Sequence, residues 1–378
     1  MLYLDNASTT NVNKEVLDIF NKLTLELLGN PSSNHKLGFQ ASEYNQKATR
    51  QILKQLNCQD NRLIFTSGAS EGNNLLIKGI AYRNKSFSNV LITSKVEHAS
   101  CLEVFYELEK EGFKVIYLDV DLKGNINLNQ LKEALKLNPS LVCIMSTNNE
   151  IGNNFPIEII SDIVHLNSKA YFISDVTQSI GKVKIDYTKL DGFTMSGHKV
   201  HGLKSSGFCC IKSNVKISPI ILGGHQQDGL RAGTINAPIN CSLATALRLY
   251  FNTFDQRRNN VIKLYNHLYE ELDKLKEDVT INSSKENSSY YILNFSLLKH
   301  KASVVVEDLS SKDIFVSTQS ACSSKKAAFS YVLDNMGFNK DISSNSIRVS
   351  FKGDESIDDI DNFISSLKEE FKNLTERE

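Results

Sequence analysis

Three short polar segments carry side chains that could do chemistry, and each directly follows an apolar run. Lys199 ends the small-residue segment Ser196-Gly197-His198-Lys199, where poor solvation would lower the pKa of its amine and leave a neutral nucleophile. Asp175 follows the run at 171–174 and could hold a proton on a ring nitrogen, with Gln178 three residues on. The small residues of 66–72 would let backbone N–H groups at a helix start approach a phosphate.

Each segment also fits an ordinary structural role when it is taken alone. Residues 66–72 match neither the Walker pattern nor G-x-G-x-x-G and could form a simple capped turn. Asp175 could be a helix N-cap, and most lysines are solvated surface charges. Together, however, a phosphate loop, a carboxylate for a ring nitrogen and an amine for a Schiff base are the parts that pyridoxal phosphate requires. The combination therefore predicts a site for this cofactor.

Two further polar positions follow predicted strands. His98 could stack on a ring or shuttle protons, although lone histidines are more often structural. Asn149, within Asn148-Asn149-Glu150-Ile151-Gly152, would supply a neutral amide at the same edge, or it could be a turn former.

The elements that must position these residues alternate between strand and helix. Short β-branched runs occupy 63–66, 90–93, 114–120, 141–146, 171–174, 192–195 and 207–211. Amphipathic helical patterns separate the earlier runs, which indicates an α/β fold with a mainly parallel sheet and helices on both faces. Ligands bind beyond the carboxyl ends of such strands, where the candidate residues lie.

The pattern changes near residue 240. Apolar residues keep helical spacing from Leu243 to Leu272, which predicts one long helix leaving the main domain. Strand and helix patterns follow, and the closing helix begins at the N-cap Ser356 with Asp359 three residues on. We therefore predict a large α/β domain at 12–255 and a smaller α+β domain formed by 1–11 and 256–378.

Composition excludes several classes of protein. The 378 residues carry 43 basic and 43 acidic side chains, so no net charge favours nucleic acid or anionic membranes. No apolar run is long enough to span a membrane, and the first residues lack a signal-peptide pattern, so we expect a cytoplasmic protein. The seven cysteines are scattered and never in C-x-x-C spacing, so neither structural disulfides nor a metal site is expected.

Eight segments together resemble the cysteine desulfurases, which belong to the class V aminotransferase group of pyridoxal-phosphate enzymes. The resemblance runs in order from residue 4 to about 350. It implies fold type I for this cofactor class and a homodimer. The matching segments are Leu4-Asp5-Asn6-Ala7-Ser8-Thr9-Thr10, 29–33, 66–71, Glu97-His98, 148–152, 175–178, 196–199 and Arg231-Ala232-Gly233-Thr234.

The resemblance also implies a role for each matching residue. Lys199 would form the Schiff base, Asp175 would pair with the pyridine nitrogen, and Gln178 would hydrogen-bond the ring oxygen. His98 would stack on the ring and assist proton transfer. The phosphate would be held by Ala69 (through its N–H), Ser70, Ser196 and His198, with Thr234 contributed by the other subunit.

Two residues would bind the substrate, L-cysteine. Arg348 would clamp its carboxylate, a task that suits a bidentate guanidinium, and Asn149 would help from the opposite side. The implied products are L-alanine and sulfur.

Cys322 separates the desulfurase branch from its relatives. It lies in the small polar segment 317–324, and the neighbouring Lys325 and Lys326 would favour its thiolate. By the resemblance it would take the sulfur as a persulfide and pass it to an acceptor protein. Without the cofactor motifs it could be an incidental exposed thiol. Cys209 and Cys210, by contrast, lie in an apolar run and are predicted to be core residues.

Some features depart from the family. Residues 325–330 lack the usual glycine and proline, and Leu203 and Ser205 stand where relatives usually have proline and glycine. Only 30 residues follow Arg348, a shorter tail than in desulfurases that serve iron-sulfur scaffolds. We therefore expect a dedicated acceptor such as a tRNA-thiolating enzyme over an iron-sulfur scaffold.

Two alternatives remain open from the sequence. One is a different reaction on the same cofactor, such as selenocysteine lyase or transaminase activity. The other is a non-enzymatic docking subunit, against which the intact Lys199 argues because a scaffold needs no Schiff-base amine.

Overall fold

The computed structural model describes residues 1–318 and 329–375. Its strands are β1 (Leu2–Tyr3), β2 (Asn61–Thr66), β3 (Val90–Ser94), β4 (Lys114–Leu118), β5 (Leu141–Cys143), β6 (Tyr171–Asp175), β7 (Gly192–Ser196), β8 (Gly207–Lys212), β9 (Val279–Ile281), β10 (Ile292–Leu297), β11 (Ile314–Phe315), β12 (Ser317–Thr318) and β13 (Ser346–Ser350). Its helices are α1 (Lys14–Glu26), α2 (Lys36–Gln55), α3 (Ala69–Asn84), α4 (Ala99–Lys110), α5 (Leu128–Leu135), α6 (Ile157–Asn167), α7 (Ala237–Asn252), α8 (Phe254–Asp273), α9 (Ala302–Ser311), α10 (Tyr331–Asn335), α11 (Lys340–Ser344) and α12 (Ile357–Thr375).

A seven-stranded sheet in the order β2-β8-β7-β6-β5-β3-β4 carries the candidate residues. Strand β8 is antiparallel to both neighbours, and the other strands share one direction. The predicted mainly parallel α/β fold is therefore confirmed. Strand β7 and all but the last residue of β8 are buried, as expected for strands covered on both faces. Cys209 and Cys210 belong to this buried strand β8, as predicted.

A second, four-stranded sheet has the order β12-β13-β10-β9 and packs under α8, α9 and α12. The amino terminus joins this part of the molecule, because β1 pairs in parallel with β11 and Leu2 and Leu4 enter the same apolar cluster as Val349. The clusters of the large sheet are built mainly from residues between 48 and 251. This packing is consistent with the domain boundaries at 12 and 255, which stay a prediction.

The prediction of one long helix across 243–272 is wrong. The structure has two helices, α7 and α8, which meet at Thr253 with φ −105° and ψ 12°. The break leaves backbone carbonyls of α7 without helical partners, and a side chain bonds one of them. The Arg257 guanidinium donates to Tyr250 O at 2.5 Å, while its Nε donates to Thr253 Oγ1 at 2.9 Å.

Other helix ends follow the sequence. Ser356 and Asp359 form the predicted reciprocal cap of α12, with Asp359 N donating to Ser356 Oγ at 3.1 Å and Ser356 N to Asp359 Oδ2 at 2.8 Å. The sequence analysis did not predict β1, β9, α1 or α2. Among residues 1–318 and 329–375, no helix combines the length and apolarity that crossing a membrane would need.

Candidate active site

Most of the predicted site residues line one cavity of about 140 Å³ at the carboxyl edge of the large sheet. They reach it from the ends of β6 and β7, from the starts of α3 and α4, and from β13 of the second sheet. The cavity is therefore formed where the two sheets meet. The predicted residues that line it are Ala69, Ser70, His98, Asn149, Asp175, Gln178, Ser196, His198, Lys199 and Arg348.

Lys199 is held by backbone carbonyls from the amino terminus. It ends a short 3₁₀ turn directly after β7. Its Nζ donates to Ala7 O at 2.5 Å and to Ser8 O at 2.6 Å. Gly197 lets this turn form, because a Cβ there would lie 2.3 Å from Ser206 Oγ. The amine is thus brought to the cavity by a tight turn that admits no larger residue.

Asp175 ends β6, and two donors fix its orientation. Its Oδ1 accepts from Thr177 N at 2.9 Å and its Oδ2 from Asn73 Nδ2 at 2.8 Å. Asn73 is itself oriented because Thr194 Oγ1 donates to its Oδ1 at 2.5 Å. The sequence analysis did not identify Asn73, which lies inside α3 and matches no local pattern.

The start of α3 forms the anion-binding end of the cavity. Ala69 N donates to Ser196 Oγ at 2.7 Å, and Ser70 follows in the first turn. Gly68 precedes the helix with φ +152°, and a Cβ on Gly207 would lie 2.6 Å from Gly68 Cα. Small residues are therefore required here, and the helix start favours a bound phosphate.

His198 also lines the cavity, and its imidazole ring is uncharged at neutral pH. Burial lowers the pKa of His198 to about 4, and the positive charges of Lys199 and Lys204 add to this effect. Its Nδ1 lies 3.1 Å from Thr9 Oγ1. At neutral pH the ring can therefore hydrogen-bond a ligand but does not contribute a full charge.

His98 has both a structural and a ligand-facing role. It is the N-cap of α4, because Ser100 N donates to His98 Nδ1 at 3.1 Å. With Nδ1 accepting, the neutral ring carries its proton on Nε2. The cap fixes the ring in the cavity wall, and this supports the predicted stacking role.

Gln178 is held by two neighbours in the floor of the cavity. Its Nε2 donates to Ala7 O at 3.0 Å, and its Oε1 accepts from Lys182 Nζ at 3.2 Å. One Nε2 hydrogen is left for an acceptor in the cavity.

Arg348 reaches the cavity from β13 and is 2% exposed. Its Nη1 donates to Asn149 O at 2.8 Å, and its Nη2 donates to Asp5 Oδ1 at 2.9 Å and to Ser8 Oγ at 2.6 Å. Its Nε has no hydrogen-bond partner in the described part of the chain. The sequence analysis quoted Asp5 and Ser8 in a motif but did not assign them this role.

Two other buried polar atoms of the cavity wall also lack partners among the described residues. They are Asn149 Oδ1 and Thr177 Oγ1. Buried polar groups of native proteins are nearly always hydrogen-bonded, so a polar ligand in the cavity is one way to supply the missing partners. Thr177 was missed as a site residue.

A buried cluster behind His98 contains Glu97, Cys101 and Cys143, whose ligand atoms lie within 4.8 Å of one another. The Glu97 carboxylate is already bonded, accepting from Ser94 Oγ at 2.6 Å and from Met145 N at 3.0 Å. Burial raises the pKa of Glu97 to about 8. We assign the cluster to the structural core, and the predicted absence of a metal site stays a prediction.

One predicted residue of the described part of the chain does not line this cavity. Thr234 is exposed and lies outside the cavity wall of its own chain, so its predicted role at a neighbouring subunit stays untested. Cys322 lies outside the described residues.

Comparisons with known proteins extend these observations. Residues 2–363 match the family model Aminotransferase class-V. The cysteine desulfurase IscS of Dictyoglomus turgidum is 35% identical over 92% of this chain and 88% of its own length. A solved NifS-like protein superimposes with a TM-score of 0.91 at 31% identity, covering 98% of this chain and 99% of that one. The structure of SspA in complex with cysteine gives a TM-score of 0.81 at 30% identity, covering 94% of this chain and 100% of that one.

Proposed function

The chain belongs to the class V aminotransferase family, and we propose that it is a pyridoxal-phosphate-dependent cysteine desulfurase that converts L-cysteine to L-alanine. The observation that carries the proposal is that Lys199, Asp175, Gln178 and Arg348 all line one cavity. Selenocysteine lyase or transaminase activity is not favoured, because the similar proteins named above include a cysteine desulfurase and a structure that holds cysteine.

The cavity wall fits pyridoxal phosphate. Asn149 and Thr177 line the cavity, and Asn149 Oδ1 and Thr177 Oγ1 are buried polar atoms without partners among the residues that the structure describes. The start of α3 suits a phosphate, and Asp175 suits a protonated ring nitrogen. When bound, the cofactor supplies an electron sink for the bond-breaking step at the amino acid Cα. It would be held by Lys199 through its amine, by Asp175, Gln178 and His98 at the ring, and by Ser70, Ser196 and His198 at the phosphate. Ala69 N donates to Ser196 Oγ in the structure and would have to exchange that bond for one to the phosphate.

The chain's own residues would then handle protons and charge. We assign the removal of the Cα proton to the Lys199 amine, which would act as the general base. Asp175 is oriented by Asn73 and Thr177 N, so its carboxylate keeps one position while a positive ring nitrogen is neutralised. His98 lines the cavity while its Nδ1 accepts from Ser100 N, and we propose that it assists proton transfer through Nε2.

Substrate recognition would depend on Arg348. Its contacts with Asp5, Ser8 and Asn149 O hold the guanidinium at the cavity wall, where we propose that it binds the substrate carboxylate. Asn149 Oδ1 can accept from the substrate at the same side of the cavity. Cys322 would receive the sulfur as a persulfide.

Incubation with L-cysteine tests this function. Purified protein should be yellow, form alanine and carry a persulfide on Cys322, and borohydride should fix the cofactor to Lys199. Cys322→Ala should abolish the persulfide, whereas Cys241→Ala, a half-buried cysteine on α7, should retain it. Alanine formation that is equally fast in both variants would refute sulfur transfer through Cys322.

A homodimer is part of the proposal. Large apolar side chains stand exposed on one short stretch of the chain, with Leu25 87%, Leu28 85% and Phe39 63% exposed. Covering these three side chains would remove apolar surface from water, so we place the proposed interface here. Thr234, exposed in its own chain, would then contribute to the neighbouring phosphate site.

The sulfur acceptor is the finer part of the proposal. We propose a dedicated tRNA-thiolating enzyme ahead of an iron-sulfur scaffold, on the composition of residues 325–330 after Cys322. Persulfide transfer from ³⁵S-labelled protein to each acceptor class distinguishes them, and delivery to a scaffold protein alone would refute the preference. The cytoplasmic location stays a prediction.

A further inference from the structure

Lys182 is a buried lysine that the proposed mechanism leaves unused. It is 4% exposed, and its Nζ lies 3.2 Å from Gln178 Oε1. Its Nζ also lies 5.9 Å from the ring centroid of Tyr291 at the second sheet. Among residues 1–318 and 329–375, no carboxylate forms an ion pair with it. Burying an ammonium without a carboxylate is unfavourable, so the position calls for a reason beyond packing.

In the described part of the chain, the charged groups that shift the pKa of Lys182 are positive. They are Lys199 after β7, Arg257 on α8 and Arg348 on β13, and the remaining neighbours are Gln178 and Tyr291. Burial lowers the pKa of the Lys182 amine to about 7, and the positive charges of Lys199, Arg257 and Arg348 lower it further in that order of effect. The Lys199 charge therefore acts on Lys182, and the interaction between two like charges is mutual.

A short chain of hydrogen bonds joins the two amines. Lys182 Nζ donates to Gln178 Oε1, Gln178 Nε2 donates to Ala7 O at 3.0 Å, and Lys199 Nζ donates to the same carbonyl at 2.5 Å. The Lys182 amine donates and therefore meets the Gln178 oxygen, whereas the Ala7 carbonyl accepts and therefore meets the Gln178 nitrogen. Both neighbours thus favour the same orientation of the Gln178 amide. In that orientation the remaining N–H is the donor that the amide can offer to the cavity.

Resting on the proposed function, we propose that Lys182 is a positioning residue that holds the Gln178 amide as a donor to the cofactor and, as a neighbouring cation, favours the uncharged form of the Lys199 nitrogen. A second cation is a known means of making a lysine amine reactive. The residue acts through Gln178 and Lys199 and does not itself touch the reacting atoms.

A pH titration of the bound cofactor's absorbance tests this role, because the absorbance reports protonation of the Lys199 nitrogen. Lys182→Met removes the charge and keeps the length of the side chain. Removing a positive neighbour stabilises the protonated nitrogen, so the midpoint should move to higher pH by about one pH unit. Lys182→Arg keeps a positive charge at every pH of the titration, so its midpoint should not rise above that of the wild type.

The matched control is Lys184→Met, which removes an exposed lysine two residues away. Its midpoint should equal that of the wild type. A Lys182→Met midpoint that is unchanged, or that Lys184→Met reproduces, would overturn the inference. Thermal unfolding of each variant checks the fold, and a wild-type protein that binds no pyridoxal phosphate would instead refute the proposed function.

Discussion

Replacement of Arg348 should selectively remove recognition of the substrate carboxylate. The guanidinium is 2% exposed, so solvent screens its interactions weakly, and its Nε–H has no partner among the described residues. A hydrogen bond to a charged group contributes about 1.5–3 kcal/mol. That free energy corresponds to roughly 10- to 150-fold in affinity for a ligand with a carboxylate.

Two inhibitors that differ in the carboxylate alone make the assay specific. L-alanine and ethylamine share their amine and methyl group, and their inhibition constants against L-cysteine turnover are compared. In the wild type, L-alanine should bind roughly 10- to 150-fold more tightly than ethylamine. In Arg348→Ala the two inhibition constants should become nearly equal. Arg348→Lys keeps a positive charge beside Asp5 and should fall between the two.

A general loss of structure would give a different result. Arg348 also holds Asp5, Ser8 and Asn149 O, so its removal could disturb the cavity. Such a disturbance would weaken both inhibitors alike. If Arg348→Ala lowers affinity for L-alanine and ethylamine by the same factor, the carboxylate role is wrong.

Four further predictions follow from single contacts. Asn73→Ala removes a donor from Asp175 and should lower kcat roughly 10-fold with little effect on the KM for cysteine, and an unchanged kcat would contradict it. Burial raises the pKa of Glu97 to about 8, so the folded protein keeps this carboxyl protonated to higher pH than the unfolded chain does. The stability that this proton contributes is present below about pH 4.5 and is lost as the pH rises to about 8. The difference in unfolding free energy between wild type and Glu97→Gln should therefore vary between these pH values, and a pH-independent difference would refute the buried-acid interpretation. Ser205 adopts φ +57°, so Ser205→Gly should stabilise the fold by about 1 kcal/mol in chemical denaturation, and a destabilised variant would show that its side chain is needed. The proposed homodimer predicts that Phe39→Asp lowers the sedimentation coefficient towards that of a monomer, whereas Leu166→Asp, at an exposed apolar residue of α6, leaves it unchanged. An unchanged coefficient for Phe39→Asp would place the interface elsewhere.

Much of the cavity could be predicted because its chemistry lies in local segments. Lys199, Asp175 and the 66–72 segment each follow a strand, and parallel strands bring their carboxyl ends to one edge. Strand positions were predicted well because β-branched runs bounded by polar segments are a strong local signal. The break at Thr253 was missed because apolar periodicity continues across it. The Arg257 side chain that bonds Tyr250 O comes from the next helix and gives no local signal.

The amino-acid sequence by itself determined the kind of chemistry, since the residue types and their order along the chain specify an amine, a carboxylate, a phosphate-binding turn and a guanidinium. The tertiary structure alone decided which side chains support them. Asn73 reaches Asp175 across 102 positions, Arg348 reaches Asp5 across 343, and Lys182 meets Lys199 through a carbonyl of the amino terminus. Such contacts leave no periodic or local pattern, because a hydrogen bond depends on where the backbone places two groups and not on how far apart they lie in the chain.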